Sequence, residues 1–280
     1  MIQLTYFEVL LYFIGPPLLI LTIMMWPHLN KHGYRLGPLT FTPAITLMIH
    51  VLMAVGYTTP WDNYLVATRV WWYDPEFVVG ITIGWVPIEE YTFFIVQTLM
   101  TGLFTLWLLR RFHPTDIPLK HVPGSKDLGL RLAVFSLTAM LWLFSTIMLF
   151  SGWQPATYLT LILSWVMIPF MVQFIFGADI LLAHWRVLLV GIGLPTLYLW
   201  IVDYIAIHGG TWIISPDQTL GIKLGVLPIE EMTFFLVTNM LIVMGVTLFS
   251  VQSSHERALQ WLAALGQLRK RDPHHAASTD

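Results

Sequence analysis

The chain has 280 residues, of which 56% are hydrophobic and only 11% are charged, and its formal net charge is −2. Soluble domains carry roughly 25% charged residues, so this composition excludes an ordinary soluble protein and predicts an integral membrane protein. The absence of cysteine excludes disulfides, thiolate catalysis and cysteine metal sites.

Seven apolar segments are long enough to cross a hydrocarbon core of about 30 Å as helices. The first lacks a basic n-region and a small-residue cleavage site, so we expect it to remain in the membrane. In chain order the predicted spans lie near residues 5–26, 41–59, 80–109, 130–150, 157–177, 186–207 and 224–249.

Two polar regions lie outside these spans. Residues 110–129 predict a proline-bearing cytoplasmic linker before the fourth span. Residues 251–280 predict a helix at the membrane interface followed by a tail over 272–280, because leucines and one tryptophan alternate with basic residues. Those apolar positions are Leu259, Trp261, Leu262, Leu265 and Leu268.

The positions of Lys and Arg predict the orientation of the chain. Twelve of the 14 basic residues fall in connections on one side of the membrane, and only Arg69 and Lys223 fall on the other. We therefore expect the N-terminus outside and the C-terminus in the cytoplasm. Because the basic residues flank spans and form no continuous patch, nucleic acid is not an expected partner.

An internal repeat relates two parts of the chain at a shift of 141 positions. Residues 80–94 align with 221–235 without a gap, and ten of the fifteen positions are identical. The match extends upstream, where Tyr57 falls on Tyr198 and Asp62 falls on Asp203. The helices near 5–26 and 157–177 would complete two three-helix units, although their alignment needs a gap.

The repeat predicts an all-α membrane fold of seven helices arranged as 3+1+3. Residues 1–109 and 151–250 form the two three-helix repeats, and 130–150 forms a bridging helix between them. With this extra crossing both repeats enter from the same side, giving a parallel pseudo-twofold axis along the membrane normal. Both acidic motifs then lie at a similar depth, towards the non-cytoplasmic side.

Each repeat carries a Pro-Ile-Glu-Glu motif at the start of an apolar span. The motifs are Pro87 to Glu90 and Pro228 to Glu231, with proline placed at a first helical turn or a kink. A helix N-terminus favours the charged carboxylate, whereas desolvation and a second carboxylate favour the neutral acid. If burial dominates, at least one glutamate of a pair can donate a proton.

Aromatic rings accompany these acids at helical spacing. Glu90 shares a helix face with Phe94, and Glu231 shares one with Phe235, while the first acids, Glu89 and Glu230, lie with Phe93 and Phe234. An acid beside π-faces suits a reaction that protonates an apolar substrate and holds the resulting cation against the rings. This spacing favours the second acid of each pair as the reacting group.

A structural role competes with this interpretation. The four glutamates could cap helices in interfacial water, and Asp62 and Asp203 could be loop-edge turn formers. No helix carries two histidines at i and i+4, so a metal site is not predicted. No glycine fingerprint follows a strand, so no nucleotide cofactor is predicted.

The paired motifs resemble those of the integral-membrane lycopene β-cyclases, whose signature is Pro-x-Glu-Glu/Asp near the start of the third helix of a three-helix module. Fused members of that family contain two modules and a bridging helix, so the resemblance covers roughly residues 1–250. It implies a cofactor-independent conversion of lycopene to β-carotene through γ-carotene. It also implies a carotenoid substrate dissolved in membrane lipid, and contact with other enzymes of the carotenoid pathway is a further expectation.

The resemblance places catalysis on all four glutamates. Glu89 and Glu230 match the family's stricter first acid, and Glu90 and Glu231 match the second, so the resemblance and the helix-face argument favour different pairs. From the repeat alone, Asp62, Asp203, Tyr57 and Tyr198 are expected as supporting residues. Phe93, Phe94, Phe234 and Phe235 are expected to stabilise the cation.

Three other functions remain open at the level of sequence. A cyclase could act on another acyclic carotenoid, of C50 length or giving another ring type. A transporter could also use 3+1+3 repeats with buried acids, although it would need a polar path. A retinal protein would need a Schiff-base lysine inside the last helix, whereas Lys223 lies at its mouth.

The absence of a nucleotide fingerprint generates a prediction about cofactors. Purified protein in detergent should cyclise lycopene without added flavin or nicotinamide, as measured by chromatography of the pigments. Strict dependence on either cofactor would contradict this account of the site.

Overall fold

The computed structural model describes residues 3–31, 33–36, 39–112 and 125–271. Within these residues seven helices are long and apolar enough to cross a membrane, which agrees with the predicted all-α membrane class. The first span combines α1 (Tyr6–Val9), a π-helical turn (Leu10–Ile14), α2 (Gly15–Met25) and a 3₁₀ turn (Trp26–His28). The others are α3 (Pro43–Ala67), α4 (Ile88–Phe112), α5 (Ser125–Phe150), α6 (Thr157–Ala183), α7 (Trp185–Gly209) and α8 (Ile229–Ser250).

The first span changes its helical winding where two prolines interrupt it. Pro16 and Pro17 lie one residue beyond the π-helical turn, and neither can donate a backbone N–H to the preceding turn. A wider turn accommodates the missing hydrogen bonds while the helix continues. Thr5 begins the span, and its hydroxyl accepts a hydrogen bond from the Glu8 N–H.

Helix α3 extends beyond the predicted end at residue 59. It continues through Pro60 to Ala67, so Asp62 lies inside a helix and not at a loop edge. Asp203 likewise lies within α7, and both aspartates are buried. Burial removes the interpretation of these residues as solvated turn formers, because neither is positioned to cap a helix end.

The predicted starts of the third and seventh spans, at 80 and 224, are wrong. Residues 82–83 and 86–87 form the hairpin strands β4 (Thr82–Ile83) and β5 (Val86–Pro87), and α4 begins only at Ile88. The second repeat has the same hairpin, with β7 (Lys223–Leu224) and β8 (Leu227–Pro228) preceding α8. Each proline therefore ends a strand just before the helix, instead of occupying its first turn.

Glycine makes these two-residue hairpin turns possible. Gly84 has φ of 69° and Gly225 has φ of 64°, in the left-handed region that side chains other than glycine rarely adopt. The hairpins consist of apolar residues that raise the local hydropathy. This explains why the hydropathy pattern predicts that both spans begin too early in the chain. Their role is to turn the chain sharply into α4 and α8.

Of two other strand pairs in the described residues, one is local and one connects distant parts of the chain. Strands β1 (Tyr34–Leu36) and β2 (Leu39–Phe41) pair locally before α3. Strand β3 (Trp71–Tyr73) pairs antiparallel with β6 (Trp212–Ile214), and the register joins Tyr73 to Trp212 and Trp71 to Ile214. Because Trp212 and Ile214 are the 141-shifted equivalents of Trp71 and Tyr73, this pairing is reciprocal between the repeats.

Helices α4 and α8 are the most buried of the seven spans. They meet through side-chain hydrogen bonds, one from Gln97 Nε2 to Thr238 Oγ1 at 3.3 Å and one from Thr101 Oγ1 to Asn239 Oδ1 at 2.9 Å. Gln97 and Thr238 are themselves equivalent positions of the repeat. Polar contacts of this kind help helices associate where lipid supplies no hydrophobic drive.

Helices occupy both ends of the predicted linker over 110–129. Helix α4 continues to Phe112, and α5 begins at Ser125. Residues 113–124, and the predicted tail at 272–280, lie outside the described residues. Helix α5 is the least buried span and packs mainly on α6. The predicted interfacial helix is α9 (Gln252–Arg271), in which Leu259, Trp261 and Leu262 are exposed.

An ion pair fastens α9 to the bundle. The guanidinium of Arg257, buried almost completely, donates to both carboxylate oxygens of Asp179 at 2.7 and 2.6 Å and to the Phe176 carbonyl at 2.8 Å. Asp179 lies just beyond a non-helical residue, Gly177, in α6. The pair therefore joins the last turn of α6 to the first turns of α9.

This pair generates a stability prediction. Asp179→Asn leaves the Arg257 charge buried without its counterion, which costs about 3–5 kcal/mol, so the melting temperature should fall and limited proteolysis should release α9. Glu256→Gln, one residue from Arg257 on a less buried face, should leave both measurements near wild type. Equal stability of the two variants would show that the ion pair does not hold α9.

Candidate functional site

The two glutamates of each motif have different environments. The first acid of each pair closes the hairpin loop: Glu89 Oε1 accepts the Val79 N–H at 2.6 Å, and Glu230 Oε1 accepts the Leu220 N–H at 2.7 Å. The two bonds are equivalent under the 141-residue shift. Neither Glu89 nor Glu230 retains any exposed surface, so both act as internal anchors of the turn.

The second acid of each pair accepts hydrogen bonds from tyrosines on other elements. Glu90 Oε2 accepts the hydroxyl of Tyr6 and, at 3.0 Å, that of Tyr73. Glu231 Oε1 accepts the hydroxyl of Tyr158 at 2.6 Å. Tyr6 and Tyr158 begin the first helices of the two halves, so the first helix of each half supplies one tyrosine to its own glutamate.

These second acids face one another across a shared cavity of about 40 Å³. A space of this size can hold a small number of water molecules. Both carboxyl groups contribute to its wall, whereas Glu89 and Glu230 do not. The lining comprises Tyr6, Trp71, Tyr73, Glu90, Phe93, Tyr158, Asp203, Trp212, Ile214, Glu231, Phe234 and Phe235.

No cation balances the acids of this cavity in the described parts of the chain, where the ion pairs involve only Asp179. The carboxyl groups instead rely on tyrosine hydroxyls. Burial, and then the charge of Glu90, raise the pKa of Tyr73 well above its usual range. Tyr73 therefore keeps its proton and remains a hydrogen-bond donor to Glu90.

Aromatic rings enclose the two acids in a reciprocal pattern. On the Glu90 side the Tyr6 ring lies 4.9 Å from the Trp212 ring, and on the Glu231 side the Trp71 ring lies 5.2 Å from the Tyr158 ring, both between centroids. Trp71 and Trp212 are equivalent positions, placed there by β3 and β6. These π-faces give the cavity a wall that can stabilise positive charge.

Three of the four predicted phenylalanines also line this cavity. Phe93, Phe234 and Phe235 contribute to its wall, and the rings of Phe93 and Phe235 meet edge to face at 6.0 Å. Phe94 lies instead on a larger neighbouring cavity. The structure therefore brings aromatic residues of α4 and α8 together, with Phe94 turned away from the acids.

The predicted supporting residues separate into two groups. Asp203 lines the cavity and its Oδ1 accepts the Trp212 indole N–H at 2.8 Å, whereas Asp62 is buried but does not line the cavity. Tyr57 and Tyr198 lie away from the acids. Their hydroxyls donate to backbone carbonyls of the first helix in the other half, at Trp165 and Phe13 respectively.

Sequence reasoning missed Tyr6, Tyr73 and Tyr158. A signal for two of them exists: Thr5-Tyr6 and Thr157-Tyr158 begin the first helices, and each pair is followed by a proline eleven residues after the tyrosine. This match needs a shift of 152 and not 141. Tyr73 had no such signal, because its equivalent position holds Ile214.

The structure also bears on the alternative roles of the acids. All four glutamates are buried, so none caps a helix in interfacial water. Among the residues that the structure describes, no group of three or more histidine or acidic side chains could hold a metal ion. The arrangement can deliver and accept protons within an apolar, aromatic enclosure.

Comparison with known proteins identifies a family whose members have sequences similar to this chain. A family model described as lycopene cyclase matches residues 4–108 and 155–251. The two matched segments contain both acidic motifs and exclude α5. No solved structure matches the chain.

Named relatives occur in fungi and archaea. A bifunctional lycopene cyclase/phytoene synthase of Podospora anserina is 35% identical over 82% of this chain and 37% of its own length, and one of Neurospora crassa is 36% identical over 85% and 38%. A lycopene beta-cyclase of Halobacterium salinarum is 34% identical over 85% of this chain and 92% of its own length. The chain thus spans little more than a third of the fungal relatives and nearly all of the archaeal one.

Proposed function

Because the chain belongs to the lycopene cyclase family, we propose that it converts lycopene to β-carotene through γ-carotene, without a redox change. The observation that carries this proposal is the cavity that places Glu90 and Glu231 together among aromatic rings. An acid, a base and π-faces are the groups that a proton-initiated ring closure requires. The transporter reading has no comparable support.

The chemistry balances with two carboxyl groups. A carboxylic acid adds a proton to C2 of the terminal C1=C2 double bond, which places the positive charge on C1. The C5=C6 electrons then form the C1–C6 bond, and the charge moves to C5. A carboxylate removes the proton from C6, so that a C5=C6 double bond completes the β-ring.

We assign the proton donor to Glu231 and the acceptor to Glu90. Two tyrosine hydroxyls donate to one oxygen of Glu90, whereas Glu231 receives one. Hydrogen bonds to a carboxylate stabilise its charged form, so the doubly bonded Glu90 is the better base. After one ring closes, the proton must return from Glu90 to Glu231, and a water in the shared cavity is a suitable carrier.

The aromatic wall and the first glutamates have separate roles in this mechanism. Trp71, Trp212 and Phe234 stabilise the cation at C1 and then C5 through their π-faces. Glu89 and Glu230 hold the hairpins that aim the second acids at the cavity. Asp203 orients Trp212, while Tyr57 and Tyr198 fasten the halves together.

We propose the 3+1+3 arrangement for the whole chain, with repeats at 1–109 and 151–250 about a bridging helix. Its support is the set of contacts between equivalent positions, namely the reciprocal β3–β6 register and the Gln97–Thr238 bond. The exclusion of α5 from both matched segments is consistent with a bridge. The N-terminus outside and the C-terminus in the cytoplasm follow from the distribution of basic residues.

Contact with other carotenoid-pathway enzymes remains part of the proposal. Its support is that the fungal relatives are named for a cyclase and a phytoene synthase in one chain. The substrate would reach either enzyme through membrane lipid. This chain matches the fungal relatives over little more than a third of their length, so we assign to it the cyclase activity alone.

The mechanism predicts unequal effects of the four Glu→Gln substitutions. Glu90→Gln and Glu231→Gln remove a proton-transfer group and should lower cyclisation about 100-fold to 10,000-fold. Glu89→Gln and Glu230→Gln keep an oxygen that can accept the backbone N–H, and should lose only about tenfold. Chromatography of pigments from lycopene-producing cells, normalised to protein in the membrane, measures the difference.

The matched pairs provide the control, because each severe variant has a neighbour of identical chemistry. Wild-type activity in Glu90→Gln and Glu231→Gln would remove these residues from the mechanism. Equal losses in all four variants would contradict the division between anchors and reacting groups.

The role of Glu90 as base generates a prediction for Tyr73. In Tyr73→Phe, Glu90 loses one donor and ionises less readily, so the acidic limb of the pH–rate profile should move to higher pH and the rate should fall about tenfold or more. Tyr64→Phe, at an exposed tyrosine of α3, is the control. A profile that keeps its position in Tyr73→Phe would contradict the assignment of Glu90 as base.

A further inference from the structure

A large apolar groove lies beside the glutamate cavity, between α3, α4, α6 and α8. Its upper part has a volume of about 490 Å³ and includes Tyr57, Phe94, Trp165 and Phe234 in its wall. A lower part of about 560 Å³ continues it towards α9. The two parts share His50, Met53, Tyr57, Pro169 and Gln173, so we treat them as one feature, the α3–α6 groove.

Among the described residues, one side chain lies in the wall of both the groove and the glutamate cavity. Phe234 lines both the glutamate cavity and the groove, and its ring stacks on Trp61 at 5.8 Å. The glutamate cavity has a volume of about 40 Å³, whereas an engineered protein cavity that binds benzene has a volume of about 150 Å³. A carotenoid end group therefore enters only when the Phe234 ring gives way, and the groove is the space behind that ring.

The shape and position of the groove suit an extended chain. Along α8 its wall runs from Phe234 to Phe249, which is about 22 Å at 1.5 Å per residue and most of the roughly 30 Å hydrocarbon core. Leu52 and Met53 on its edge are exposed on the outer face of α3. A hydrophobic molecule can therefore enter from the bilayer.

Gly56 leaves open space in the wall of this groove, and the equivalent position of the second repeat holds a larger residue. A side chain at Gly56 would meet nothing within 4 Å, whereas the equivalent position in α7 holds Leu197. Likewise His50, which lines the groove, corresponds to Gly191, where an added Cβ would press on Val243. The groove thus arises from residues that differ between the halves.

From this continuity we propose that the α3–α6 groove binds the linear polyene of the substrate while one of its ends occupies the cavity between Glu90 and Glu231. The inference rests on the proposed cyclase function and adds to it a binding site for the unreacted part of the molecule. Gly56 is then the position at which the width of the groove is set.

The test fills the groove without touching the acids. Gly56→Trp places an indole in open space within the groove, and Gly193→Trp provides the control, because a side chain at Gly193 also meets nothing within 4 Å and Gly193 lies on α7. Both changes are made in wild type and in Glu231→Gln, which should bind lycopene without cyclising it. Purified proteins in phosphatidylcholine nanodiscs loaded with lycopene are assayed for retained pigment and for conversion.

We expect Gly56→Trp to retain several-fold less lycopene than its parent in the Glu231→Gln background and to lose cyclisation in proportion, with Gly193→Trp unchanged. A Gly56→Trp protein that retains and converts lycopene like its parent would overturn the groove. So would a parent that retains no more lycopene than empty nanodiscs, because phospholipid chains would then be the occupant. Failure of the cyclase function is distinct, since the wild type would bind lycopene and leave it unchanged.

Discussion

The structure depends on burying the four glutamates of the two motifs in an apolar bundle, where none of them forms an ion pair with a described residue. An unpaired charge in such a medium is costly, so each acid must obtain hydrogen bonds from neutral donors. The first acid of each motif uses a backbone N–H of its own hairpin. The second uses tyrosine hydroxyls brought from the first helix of its half. The hairpins, the helix starts and the β3–β6 pairing all serve this requirement.

The same constraint gives the two adjacent glutamates of each motif different roles, one structural and one chemical. Adjacent residues on a helix point about 100° apart, so Glu89 faces the loop while Glu90 faces the cavity. A family signature that is stricter at the first acid is compatible with catalysis at the second, because a misplaced hairpin would misdirect the reacting carboxyl group. Around the two reacting acids the near symmetry of the halves is broken at Tyr73 and Ile214, and this difference gives the two acids unequal partners.

Much of this arrangement could be predicted from the sequence. The hydropathy pattern indicates the membrane spans, and aligning the chain with itself at a shift of 141 residues indicates the equivalent positions of the two repeats. Hydropathy could not distinguish the hairpins from helix, since Ile81, Ile83 and Val86 are as apolar as the residues of α4. The repeat also could not identify Tyr73, which has no equivalent. Tyr6 and Tyr158 were hidden because their helices align only at a different shift. The burial of Asp62 depended on α3 continuing through Pro60, against the usual effect of proline.

The central claim is that Glu90 and Glu231 act together in one cavity, and the most direct test is the ratio of γ-carotene to β-carotene made by each single Glu→Gln variant. If the acids share one site, each variant should leave lycopene unreacted and should not accumulate γ-carotene, because both rings need both residues. Abundant γ-carotene in either variant, with the second ring alone missing, would show that each half closes its own ring and would contradict the shared site.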